Sequence, residues 1–228
     1  MLNTFFLTLL LAHAIADYPL QTNTVYGFKI RSFWGIVLHV LIFTLTALVA
    51  IVAVGWQVNP SILTFLGLLT VLHIIEDKLK LAVYKGNVFF WYVADQIIHV
   101  LCLALAYLVP LTLTAEPWYA GGSIHFTLLA GTGIIYASYA SSIGLHFWEK
   151  AFRDPHSIYR RQWGEVIEMA LWAFLFFAFP KWMLILLVAG LGLKWVIRKQ
   201  VALKMFARVA SIVIPFVVAA GVCGIMSS

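Results

Sequence analysis

The chain has 228 residues, 63% of them hydrophobic and only 11% charged, with a mean hydropathy of +0.97 and a formal net charge of +6. A soluble domain carries roughly a quarter charged residues, so most of this surface must face something other than water. The basic excess is scattered through short connections and forms no basic face, which argues against nucleic acid as a partner.

Apolar runs of about 20 residues are the length of a transmembrane helix, and they are too continuous for barrel strands. Backbone polar groups in lipid must be satisfied within the segment, so the expected fold is all-α, a polytopic transmembrane bundle of about eight helices. In chain order the runs place helices at Leu2–Asp17, Phe33–Val54, Ile62–Leu79, Phe89–Leu111 and Ile124–Phe147. Three more follow at Trp163–Phe179, Trp182–Ile197 and Phe206–Met226, with Pro180 dividing the sixth from the seventh. Ala14-Ile15-Ala16 resembles a leader cleavage site, but no Lys or Arg precedes the first run, so it reads as a short helix ending before Pro19. Cys102 and Cys223 lie in separate apolar runs and read as small buried hydrophobes.

The connections support the count. With eight helices, 14 of the 15 basic residues fall on one side, leaving only Lys181 opposite. Positive charge marks the cytoplasmic side, so both termini are expected to be extracytoplasmic. The expected organisation is a four-helix region over 1–112, which bears the ionisable residues, and a second four-helix region over 113–228.

Ionisable side chains inside membrane helices are expensive and mark function. Here they are patterned: His13-x3-Asp17, His39, His73-x3-Asp77 and Asp95-x3-His99. Residues four apart share one helical face. The interval from His13 to His39 is 26 residues, as is that from His73 to His99, and Asp17 and Asp77 hold the same place within each. This predicts a tandem duplication of helices 1–2 as 3–4, with period 60 and the same direction through the membrane. All of these residues fall within a few turns of the basic side. A histidine taken singly is more often helix-packing glue, and Asp17 or Asp95 alone reads as a helix-end residue. A shared depth and a repeated interval are not explained that way.

Imidazole and carboxylate together suit zinc, manganese or iron. The expected ligands are His13, Asp17, His39, His73, Asp77, Asp95 and His99, holding one or two divalent ions. Asp95 doubles as a candidate general base, and Lys80 as a candidate anion-holding or catalytic group. Gln21 and Gln96 are candidate outer partners. Glu165 and Glu168, behind Arg160 and Arg161, read first as dipole-favoured residues of a helix start. His146 is a weaker candidate, while His125 and His156 fall outside the layer.

The ordered string His13-x3-Asp17-x3-Gln21, His39, His73-x3-Asp77 and Asp95-Gln96-x2-His99 resembles an uncharacterised family of bacterial inner-membrane proteins, catalogued as a domain of unknown function. The resemblance covers roughly residues 1–110. More loosely, the arrangement is similar to bacterial membrane-bound metal-dependent hydrolases with His and Asp on helices. It implies an inner-membrane location and these site residues, but no substrate. The expected function is a metal-dependent hydrolase acting on membrane lipid or a lipid-linked phosphate or ester. The alternatives are a metal-ion or proton transporter, and a structural or assembly subunit.

Overall fold

A computed structural model describes residues 4–83, 86–108, 123–152, 163–196, 209 and 212–221, with backbone only at 123, 163–165 and 191–196. All regular structure among them is helical. The helices are α1 (Thr4–Asp17), α2 (Asn23–Lys29), α3 (Phe33–Ala53), α4 (Pro60–Val83) and α5 (Val88–Ala104), the last extended by a 3-10 turn to Tyr107. Then come α6 (Ser123–Ile135) and α7 (Ser141–Phe152), joined through a π-turn, α8 (Trp163–Ala178), α9 (Met183–Val196) and α10 (Ile212–Gly221).

The chain forms two compact units, Met1–Leu128 and Leu129–Ser228. In the first, α1 packs on α3 and α5, α3 on α4, and α4 on α5, so four helices close a ring. Helix α1 is buried nearly all round, through Phe5, Leu7, Leu9, Ala12, Ala14 and Ala16, as its uniformly apolar sequence requires. The other three bury one stripe each and leave Leu45, Val49, Val71, Leu79, Ile97 and Leu101 exposed on their outer faces. Exposed apolar area on that scale needs a non-aqueous neighbour. Hydroxyls add a polar clasp: Thr44 and Thr70 meet at 2.8 Å between α3 and α4, and each also lies in donor position to a carbonyl one turn earlier on its own helix, Val40 and Leu66.

Among the described residues three helices are long and apolar enough to cross a membrane: Phe33–Ala53, Val88–Tyr107 and the continuous Ile124–Phe152. A fourth is added if Val166–Ala178 and Pro180–Gly190, bent by 105°, count as one span. The bend falls at Pro180, whose ring and missing N–H cannot continue a helix. Helix α1, at 14 residues, reaches about 21 Å at 1.5 Å per residue, short of a full hydrocarbon core.

In the second unit, α8 packs on the π-turn. Gly133 lets the Phe177 ring approach, and Gly190 admits Trp172; a Cβ at either would lie 2.7 Å from the ring.

Helix α2 has no counterpart in the sequence reading, where residues 18–32 form only a connection. It is seven residues long, too short to show a 3.6-residue period, and is set by its caps. The Thr22 hydroxyl accepts from Val25 N–H, and the Ser32 hydroxyl accepts from Gly35 N–H at the start of α3. Gly35 sits directly against the Phe28 carbonyl, so a methyl there would collide with backbone. Gly35→Ala is expected to cost about 1–3 kcal/mol, the range for overpacking, read as a lowered unfolding midpoint in detergent. An unchanged midpoint would contradict this packing.

Candidate metal centre

Helix geometry delivers the polar residues to one place. His13 and Asp17 end α1, His39 lies two turns into α3, and His73, Glu76, Asp77 and Lys80 line the last turns of α4. Asp95 and His99 stand mid-way along α5, whose start is capped by Asn87 and not by Asp95. The i, i+4 pairs meet as their spacing requires: His13–Asp17 at 3.6 Å, His73–Asp77 at 3.6 Å and His99–Asp95 at 3.5 Å. His39 bridges the helices, with its Nε2 3.4 Å from Asp17 and 3.8 Å from Asp77. The four imidazoles form one cluster, centroids 4.4 Å apart for His73–His99, 4.9 Å for His13–His99 and 5.3 Å for His39–His73. Every histidine and aspartate named as a candidate ligand is in this cluster, and all are buried.

Three participants lie outside the candidate set read from the sequence. Lys29, from α2, is buried with its ammonium 2.6 Å from Asp77 Oδ1. In sequence it counts as one more loop cation; only the α2 turn brings it inward. Glu76 accepts a 2.7 Å hydrogen bond from His99 Nδ1. Its signal was present, since it lies three residues past His73 and so on the neighbouring face of α4. Tyr18, just past Asp17, donates to Gln96 Oε1 at 2.5 Å, and the Gln96 amide in turn donates to Asp95 at 3.2 Å.

Lys80 pairs with Asp95 at 2.6 Å. Asp77, three residues before Lys80, is held by Lys29 instead. Asp95 is thus engaged through Oδ2 by Lys80 and Gln96, with Oδ1 toward His99. Gln21 reaches His39 Nδ1 at 3.3 Å, the outer-partner position expected of it. His125 hydrogen-bonds Thr4 at 2.6 Å, away from the cluster residues in sequence and contact. His146 and Glu168 lie in the second unit. Arg160, Arg161, His156, Cys223 and the Glu165 side chain lie outside the described residues.

The electrostatics of the cluster are unusual for a packing motif. His13 Nε2, His39 Nε2, His73 Nε2, His99 Nε2, Asp17 Oδ1 and Asp77 Oδ2 are all buried without a hydrogen-bond partner. Each such group costs about 1–3 kcal/mol, and the six stand together in one pocket. Among the described residues two sets have donor atoms within 4.8 Å of one another, Asp17–His39–His73 and His73–Asp77–His99. The outer contacts fit this use. Nδ1 of His99 donates to Glu76, which leaves the Nε2 lone pair for the centre, the arrangement that carboxylates impose on metal-binding histidines. A cavity lined by His13, Phe43, Leu69, His73, Glu76, His99, Cys102 and Leu103 opens beside it.

Fold and centre together define an all-helical protein with apolar, membrane-length helices and a buried His/Asp/Lys cluster in its first unit. The chain belongs to the family described as Protein of unknown function (DUF3307), whose sequence profile matches residues 5–120. That match takes in α1 to α5 and every residue of the cluster. No curated protein and no solved structure matches the chain.

Proposed function

We propose that this is a polytopic protein of the bacterial inner membrane, and that its first unit holds a divalent-metal centre near the cytoplasmic face. The reading takes it as a metal-dependent hydrolase of a lipid or lipid-linked substrate. One observation carries it: unpartnered imidazole nitrogens and carboxylate oxygens from α1, α3, α4 and α5 converge in a single buried cluster. Location and topology rest on the apolar helices and on the 14 basic residues that an eight-helix count gathers on one side. The duplication fits the geometry, since His13–Asp17 and His73–Asp77 have the same 3.6 Å separation on helices 60 residues apart.

In this reading Asp17, His39, His73, Asp77 and His99 supply ligand atoms, and the mixed imidazole–carboxylate set suits zinc, manganese or iron. A bound ion of this class supplies Lewis acidity and an activated water. Glu76 fixes the His99 tautomer, and Gln21 orients His39. The adjoining cavity, lined by Phe43, Leu69 and Leu103 beside His13 and Glu76, has room for about one water molecule. Asp95, held by Lys80 and Gln96, serves better as an outer carboxylate than as a free base. Glu76→Gln is expected to weaken metal binding by about 10–100-fold, as for other outer partners of metal-bound histidines. Titration of the apo protein with zinc checks this, and an unchanged affinity would count against the role.

The test of the hydrolase is reconstitution in proteoliposomes of bacterial polar lipid, with zinc, manganese or iron added in turn. Metal-dependent loss of a lipid species, detected by mass spectrometry and absent in His73→Ala, is the expected result. Metal influx reaching an encapsulated indicator, without lipid turnover, would overturn it in favour of transport. That second reading draws on the chain of close contacts from Asp95 through His99, His73 and His39 to Asp17, which would also serve an ion path.

A further inference from the structure

We infer that Lys29 is a tethered cation that takes the place of a second metal ion and keeps the centre mononuclear. The inference rests on the metal-centre reading above and adds the number of ions and the residue that sets it.

The first argument is charge. Four carboxylates, Asp17, Glu76, Asp77 and Asp95, line the cluster, with side chains between 0% and 14% exposed. Two ammonium groups face them, Lys29 on Asp77 and Lys80 on Asp95, each at 2.6 Å. With neutral imidazoles, as ligation requires, four negative and two positive charges leave two negative. Uncompensated charge in a medium of low dielectric is costly. One divalent cation closes the balance, whereas two would leave the same excess with opposite sign.

The second argument is ligand supply. The two candidate triads share His73. A neutral imidazole has one lone pair to give, so with His73 in one triad a second ion would rest on Asp77 and His99, with solvent filling its other positions, and would need the Asp77 carboxylate free of any other cation. Asp17–His39–His73 is free of ammonium contacts. In His73–Asp77–His99, the Asp77 carboxylate already has Lys29 on one oxygen. Lys29 therefore stands where a second ion would draw its charge, and it is held there by α2 rather than by any neighbour on α4. Lys29 is 6% exposed while Arg31, two residues on, is exposed, so the inward position is specific to Lys29.

The test is the stoichiometry of cobalt(II) or zinc binding to the purified full chain in nanodiscs, by calorimetric titration with metal analysis of the product. Wild type is expected to bind one ion and Lys29→Arg one. Lys29→Met, which keeps the length and removes the charge, is expected to bind two. The double variant Lys29→Met/Asp77→Asn removes both partners, returns the balance to two negative charges and is expected to bind one. Two ions in wild type, or a single ion in folded Lys29→Met, would overturn the inference. Should Lys29→Met not fold, the double variant decides: one ion supports the assignment to Asp17–His39–His73, and none overturns it. No metal in wild type would instead defeat the metal-centre reading itself, so the two failures are distinct.

Discussion

His73→Ala is expected to abolish metal binding, with affinity falling by well over the roughly 100-fold that loss of an outer partner costs. His73 belongs to both candidate triads, so neither survives its loss. It also sits at the middle of the imidazole cluster, within 5.7 Å of His13, 5.3 Å of His39 and 4.4 Å of His99 by ring centroid. The fold should persist, because the removed ring has an unpartnered nitrogen and its truncation strands no hydrogen bond of its own. A metal-free but monodisperse His73→Ala, with the helical signal of wild type, is the expected observation. Loss of helical structure with metal binding intact in the residual folded fraction would assign His73 to packing instead.

Asp77→Asn carries the largest expected stability effect. Asp77 is fully buried, and its loss of charge leaves Lys29 buried opposite a neutral amide. Breaking one partner of a buried ion pair costs about 3–5 kcal/mol, because the remaining charge is uncompensated. Adding Lys29→Met should recover most of that loss, since removing both partners is often close to neutral. Chemical unfolding of the single and double variants in detergent measures the difference. An Asp77→Asn protein as stable as wild type would show that Lys29 finds water, and that the pair does not hold α2 to the ring.

Much of this arrangement is written in spacing. His13-x3-Asp17, His73-x3-Asp77 and Asp95-x3-His99 each fix a face, and a shared distance from the helix ends fixes a depth, so the convergence of α1, α3, α4 and α5 follows from position alone. Helix ends were legible where composition changes sharply, as at Asp17 before Pro19 and at Phe33 after Ser32. What spacing does not encode is the path of a short connection. Helix α2 depends on two hydroxyl caps and on one glycine contact, and these decide that Lys29 turns inward while Arg31 stays exposed. Pairing between helices is also set by rotation about their axes. Lys80 lies near Asp77 along the chain yet reaches Asp95, because α5 presents that carboxylate and Lys29 has taken the other.

The most direct test is metal analysis by plasma mass spectrometry of protein purified without chelator, wild type beside His39→Ala/His99→Ala. Each substitution removes one donor from a different triad and leaves His73 in place. The account predicts stoichiometric zinc, manganese or iron in wild type and none in the double variant, at equal helical content. Well-folded wild type without metal, even after incubation with each ion, would contradict it.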